Sequence, residues 1–148
     1  MSLFTVIPFH PAHLKALVLQ PHQAFMGSQV ASDGYGQVLA DAPGVAYTGM
    51  ADGRIIACAG VMEIWAGRGA AWAFLAQDKP ETFRQVHRAV KLFLDSSAMT
   101  RIEAYVDTDF PAAYRWMKLL GFERETPAPM RAFAGSRDMY LYARVNDG

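Results

Sequence analysis

The chain is short of cysteine: Cys58 is the only one in 148 residues. A lone cysteine excludes an internal disulfide framework and a multi-cysteine zinc site. It sits in the apolar run "IIACAGV", where a thiol packs as a small hydrophobe. An excess of one charge is also lacking, because 14 basic and 14 acidic residues leave a formal net charge of zero. That balance argues against broad electrostatic binding to nucleic acid or to an anionic membrane. No apolar run approaches the roughly 20 residues that a bilayer span needs. The N-terminal "MSLFTVIPFHPAH" has neither a basic n-region nor a long h-region, so no signal peptide is expected. His10, His13, His22 and His87 show no metal-ligand spacing; the first two, at a helix start, read as capping or exposed groups. With 52% hydrophobic and 19% charged residues the composition is globular. These limits lead to one soluble, cytoplasmic domain over 1–148, with no metal, membrane or nucleic acid.

What is present is a clear order of periodicities. Residues 3–8 read as a strand, and "HPAHLKALVL" sets Leu14, Leu17 and Val18 at helical spacing behind Pro11. Residues 20–42 are ambiguous, with a helical segment around 29–41 entered through glycines. Three apolar strand-like runs follow from Gly44 to Ala76. They are separated by Asp52-Gly53 and by a second turn at Ala66-Gly67-Arg68-Gly69, which makes an antiparallel meander. The period then changes to 3.6: Phe83, Val86, Val90, Phe93 and Leu94 share a helical face, and Asp78 with Glu81 resembles a capping box. "TRIEAYVD" is a strand with Glu103 and Tyr105 on one face, "PAAYRWMKLLGF" a short helix, and "RDMYLYARV" a last strand after a turn at Gly135-Ser136. Strand, helix, strand across 70–106 demands a parallel crossover, so the fold class is α+β with a mixed sheet.

This order, together with "IEAYVDTDFPAAYRWMKLLGF" at 102–122, resembles the GNAT N-acetyltransferase superfamily over nearly the whole chain. The segments "IPFHPAHL", "ACAGVMEIWAGRGAAWAFLA", "RIEAYVD", "RWMKLLGF" and "MYLYARV" together resemble a phage- and prophage-encoded branch. That branch includes relatives of an internal virion protein of short-tailed phages. The resemblance implies a three-layer αβα fold: a mostly antiparallel sheet with a central, splayed parallel pair formed by residues 70–76 and 102–106. Acetyl-CoA would lie in that splay. Its pantetheine arm would pair with backbone at Phe74, Leu75 and Ala76, by the physics of an added strand. Its pyrophosphate would meet the start of the next helix, near Gln77, Lys79, Thr82, Phe83 and Arg84.

The sequence departs from the family at two places. "AQDKPETFRQVHR" has no glycine where the family carries an Arg/Gln-x-x-Gly-x-Gly/Ala loop, and Asp78 and Glu81 would repel a phosphate. The family's tyrosine proton donor, five residues before the phenylalanine of Leu-Gly-Phe, is replaced by Met117. Tyr114 is the neighbouring candidate acid, with half-buried packing as its other reading. The family's Asn before this helix is missing, with Asp107, Thr108 and Asp109 nearby. Glu63 and Glu103 are the only carboxylates inside strongly apolar strands, where desolvation would raise a pKa towards that of a base. The alternative for each is a solvent-facing carboxylate or a partner of Arg68 or Arg101. Trp65, Trp72 and Trp116 read as core and edge packing, and Asp33-Gly34-Tyr35-Gly36 as a wall of the acceptor site.

Two functions follow. The first is transfer of acetyl from acetyl-CoA to a small-molecule or protein amine by direct attack, the enzyme being cytoplasmic in a bacterial host. The second is a non-catalytic GNAT-fold phage structural or host-interaction protein with weakened or lost CoA binding, virion-associated or a homodimer.

Overall fold

The computed structural model describes residues 3–32 and 34–146. Met1, Ser2 and Asp33, the last from the acceptor-wall segment named above, lie outside the described residues.

Strand β1 (Phe4–Pro8) leads into helix α1 (Pro11–Ala16), a 3-10 turn (Pro21–Met26), α2 (Gly27–Ala31) and α3 (Tyr35–Asp41). The expected single helix over 29–41 is therefore two short helices, interrupted next to Gly34. The cap on α1 is reciprocal between histidines: His10 Nδ1 accepts from Ala12 N, and His13 Nδ1 accepts from His10 N. The meander is β2 (Gly44–Ala51), β3 (Arg54–Trp65) and β4 (Arg68–Leu75). Asp52 and Gly53 both take positive φ (52° and 80°), which the tight β2–β3 hairpin requires. The β3–β4 turn is shorter than the sequence suggests, since Arg68 and Gly69 already belong to β4.

Helix α4 (Pro80–Ser96), β5 (Arg101–Asp107), α5 (Pro111–Leu119), β6 (Glu123–Arg124), β7 (Met130–Ala134) and β8 (Arg137–Val145) complete the chain. The sheet runs β1-β2-β3-β4-β5-β8-β6, with β7 also on β8. Every pairing is antiparallel except β4 with β5.

Side-chain alternation divides the core between the two sheet faces. Cys58, Trp72 and Phe74 pack with Leu14, Leu17, Val30 and Leu39 of α1–α3. Ala57, Ala73 and Leu75 pack with Val86 of α4, and Ile102, Ala104 and Val106 with Leu94 and Met117 of α4 and α5. The three layers are thus α1–α3, sheet, and α4–α5. Cys58 is fully buried, and burial raises its thiol pKa to about 11, so it is an inert core group.

Candidate functional site

The parallel pair is joined over only three residues: Arg68 opposite Arg101, Gly69 opposite Ile102, and Ala70 opposite Glu103. Beyond them β4 and β5 part. Ala76 N donates to Ile56 O at 2.8 Å, so the even-numbered residues at this end of β4 turn their backbone groups to β3. Leu75 and Ala73 turn theirs towards the gap. Of the three backbone positions inferred from the family, then, Leu75 faces the opening while Phe74 and Ala76 pair with the meander.

The gap edge is not bare. Gln23, in the 3-10 turn, donates from Nε2 to Ala73 O at 2.7 Å, and its Oε1 accepts from Leu75 N at 2.9 Å. Gln20 N donates to Leu75 O at 2.8 Å. His22 stacks on Phe110 across the opening, with centroids 4.3 Å apart and planes within 3°. Arg137 lies 4.0 Å over the ring of Phe25 and brings its Nε within 3.1 Å of Asp107 Oδ2. The alignment there is too poor for a hydrogen bond, so this buried contact is ionic only.

At the C-terminal end of β4 is a cleft of about 180 Å³, lined by Gln20, Ile56, Asp78 and, from the inferred cofactor set, Leu75, Ala76, Gln77, Thr82 and Phe83. Lys79 is the N-cap of α4 and donates no side-chain cap; Arg84 and Phe74 do not line the cleft. The capping box expected from Asp78 and Glu81 is replaced by another arrangement. Asp78 stands one residue before the cap, accepts from Lys79 N at 2.7 Å and Thr82 Oγ1 at 3.2 Å, and pairs with Arg54 at 2.8 Å. These partners, Arg54 first, hold its carboxyl below the ordinary range. The chain's own carboxylate therefore occupies the anion-favouring start of α4.

Helix α5 flanks the gap. Met117, at the family's tyrosine position, is buried in the core. Trp116 donates from Nε1 to His87 Nδ1 at 3.1 Å and meets Phe83 edge-on at 5.3 Å, bridging α5 to α4. Tyr114 is half-buried near Tyr140 and Tyr142, and its hydroxyl donates to Thr108 O. Burial first, then the neighbouring tyrosines, raises its pKa, so it stays protonated at neutral pH.

The two glutamates lie elsewhere. Glu103 is 3% exposed but is not a poised base. It accepts from Arg68 Nε and Nη2 (2.8 and 2.9 Å), Arg101 Nε (2.6 Å) and Tyr105 OH (3.1 Å). The Arg68 hydrogen bonds lead in lowering its pKa to about 2, against the opposing effect of burial. The expectation of a raised pKa is thereby corrected, and the ion-pair alternative holds. Glu63 is exposed and opposite Gly69, beside the β3–β4 turn. Six residues of β4 separate that level from Leu75, about 20 Å. The structure does not bring Glu63, Glu103 and Tyr114 together.

Sequence reasoning missed Gln20, Gln23, the Arg54–Asp78 pair and the Trp116–His87 bond. Only the proline after Gln20 hinted at a turn; nothing local indicates that Gln23 reaches a strand 50 residues away.

Neither a protein-family model nor a curated protein matches this chain. Solved structures do. A spermidine N-acetyltransferase chimera of Vibrio cholerae and human sequence is 15% identical over 96% of this chain and 95% of its own, with a TM-score of 0.65. The ribosomal-protein-S5-alanine acetyltransferase from Vibrio fischeri is 14% identical over 99% and 97%, TM-score 0.66. A GNAT-family acetyltransferase from Streptococcus pneumoniae is 13% identical over 97% and 99%, TM-score 0.61. At these identities the likeness establishes the fold: the chain has the GNAT fold.

Proposed function

We propose that the protein is an N-acetyltransferase that moves acetyl from acetyl-CoA to an amine by direct attack. The observation that carries this reading is the parting of β4 and β5 after three paired residues, which takes the backbone of Ala73 and Leu75 out of the sheet at the mouth of a cleft. The amide pairs of a pantetheine arm would suit that edge, which already pairs with the side-chain amide of Gln23. Gln77, Lys79, Thr82 and Phe83 would receive the phosphate end. Asp78 opposes it, and Arg54 offsets part of that charge.

Among the three candidate catalytic residues, Tyr114 stands at the open end of β5 and is protonated, the state a donor to a leaving thiolate needs. It acts as that donor once its hydroxyl leaves Thr108 O. Glu63 and Glu103 take no chemical role, and holding a free amine against the thioester supplies much of the rate.

Acetyl-CoA at millimolar concentration is expected to raise the melting temperature by mass action, and a panel of polyamines and peptide N-termini to release free CoA thiol. A melting temperature indifferent to acetyl-CoA would sink the enzyme reading. In that case the second reading applies: a non-catalytic GNAT-fold component of a phage particle or of phage–host contact, in line with the phage-branch resemblance. Asp78 at the start of α4 and the buried Met117 favour it.

A further inference from the structure

The carboxamide of Gln23 makes a particular pair of bonds: it donates to the carbonyl of residue 73 and accepts from the N–H of residue 75. One residue of a parallel strand makes the same pair across the residue between. Gln23 thus supplies, at the level of Phe74, the rung that β5 stops supplying after Ala70. The amide cannot be turned round, since that would set its NH2 against Leu75 N–H and its oxygen against Ala73 O. Gln20 fixes the orientation further, its Nε2 donating to Gln23 Oε1 at 3.2 Å.

Gln23 does not act alone. The 3-10 turn that carries it touches both arms of the opening: β4 through Gln20 and Gln23, and the segment after β5 through His22 on Phe110. Phe25, beneath Arg137, ties it to the start of β8. The turn is short, holds no fully buried side chain, and is fastened to β4 by one backbone bond, from Gln20 N, and otherwise by side-chain contacts rather than by a ladder. Such a segment belongs to the readily opened part of a structure.

We propose that residues 20–26 are a strap whose Gln23 amide occupies the free edge of β4 as a built-in stand-in for an amide-bearing ligand, and that this ligand pairs with Ala73 and Leu75 only after displacing it. The proposal rests on the acetyl-CoA reading of the same cleft. Its consequence is a conformational tax: apparent affinity is the intrinsic affinity scaled by the fraction of molecules with the strap open. Loosening the strap should tighten binding, the opposite of what removing a ligand contact does.

The test is titration calorimetry of acetyl-CoA with the wild-type chain, Gln23→Ala and Gln23→Glu, alongside hydrogen exchange of the Leu75 amide. A carboxylate cannot donate to Ala73 O, so Gln23→Glu weakens the strap while nearly preserving side-chain size. Both variants are expected to bind acetyl-CoA roughly tenfold more tightly than wild type. The Leu75 amide should exchange faster in Gln23→Ala, which removes its acceptor, while the Ala76 amide, held by Ile56 O, is unchanged. Binding of acetyl-CoA by both variants that is no tighter than wild type overturns the strap and leaves the acetyl-CoA reading standing. Faster Leu75 exchange with no binding by any of the three proteins overturns the acetyl-CoA reading, and displacement by that ligand falls with it.

Discussion

A carboxylate in an apolar strand is pulled two ways: desolvation raises its pKa, and neighbouring cations lower it. At Glu103 the cations win, because Arg68 approaches in a two-pronged geometry and Arg101 adds a third bond. Its pKa falls from 4.5 to about 2. A depressed carboxyl contributes stability above its unfolded pKa and loses it as pH falls through the folded one. The contribution is therefore expected to vanish between about pH 4.5 and 2 in acid denaturation. With Arg68 46% exposed, solvent screens part of it. Glu103→Gln should cost about 2 kcal/mol by urea unfolding at pH 7 and flatten the acid limb over that window. Glu63→Gln should leave turnover within about twofold, since an exposed group about 20 Å down the strand touches nothing that reacts. The residue types at these positions were legible in the sequence. Their environments were legible only as alternatives, the pairing with Arg68 or Arg101 among them, because the arginines that set the pKa of Glu103 come from the strand's own end and from a neighbour 35 positions away.

At the scale of the element, α5 follows its sequence closely. Pro111 starts it and Gly121, at φ 90°, ends it. Phe122 N donates to Met117 O at 2.9 Å and Gly121 N to Lys118 O at 3.1 Å, the double bond pattern of a left-handed helix terminus. Arg144 adds a bond from Nη1 to Leu120 O at 2.6 Å. Gly121→Ala should lower stability by about 1–2 kcal/mol in thermal unfolding, from the φ alone. Helix α4 was legible in extent and wrong in its cap, because the sequence pattern of Asp78 and Glu81 says nothing of Arg54, which pairs with Asp78 one residue before the N-cap. Asp78→Asn removes the charge facing the cleft and leaves Arg54 unpaired there. We expect it to tighten acetyl-CoA binding several-fold by calorimetry; weaker binding would mean that the phosphates do not lie at this helix start. The strap was not legible, for a 3-10 turn has no period to read and its partners are distant.

At the scale of the whole molecule, the order of strands and helices was legible because each segment's period agrees with its place in the sheet. The splay was inferred from resemblance, and the strand register bears it out. That seam also bears on how the chain assembles. Strands β1–β4 are consecutive in sequence, as are β5–β8, and every pairing within each set is antiparallel. The hairpins β2–β3, β3–β4 and β7–β8 can zip at little cost in loop closure. The pairings β1–β2, β4–β5 and β5–β8 wait on the helices that lie between their strands in sequence. Pulse-labelled refolding should protect amides inside the three hairpins first and the rungs between Arg68–Ala70 and Arg101–Glu103 later. The cleft would then come into being only after the hairpins that border it.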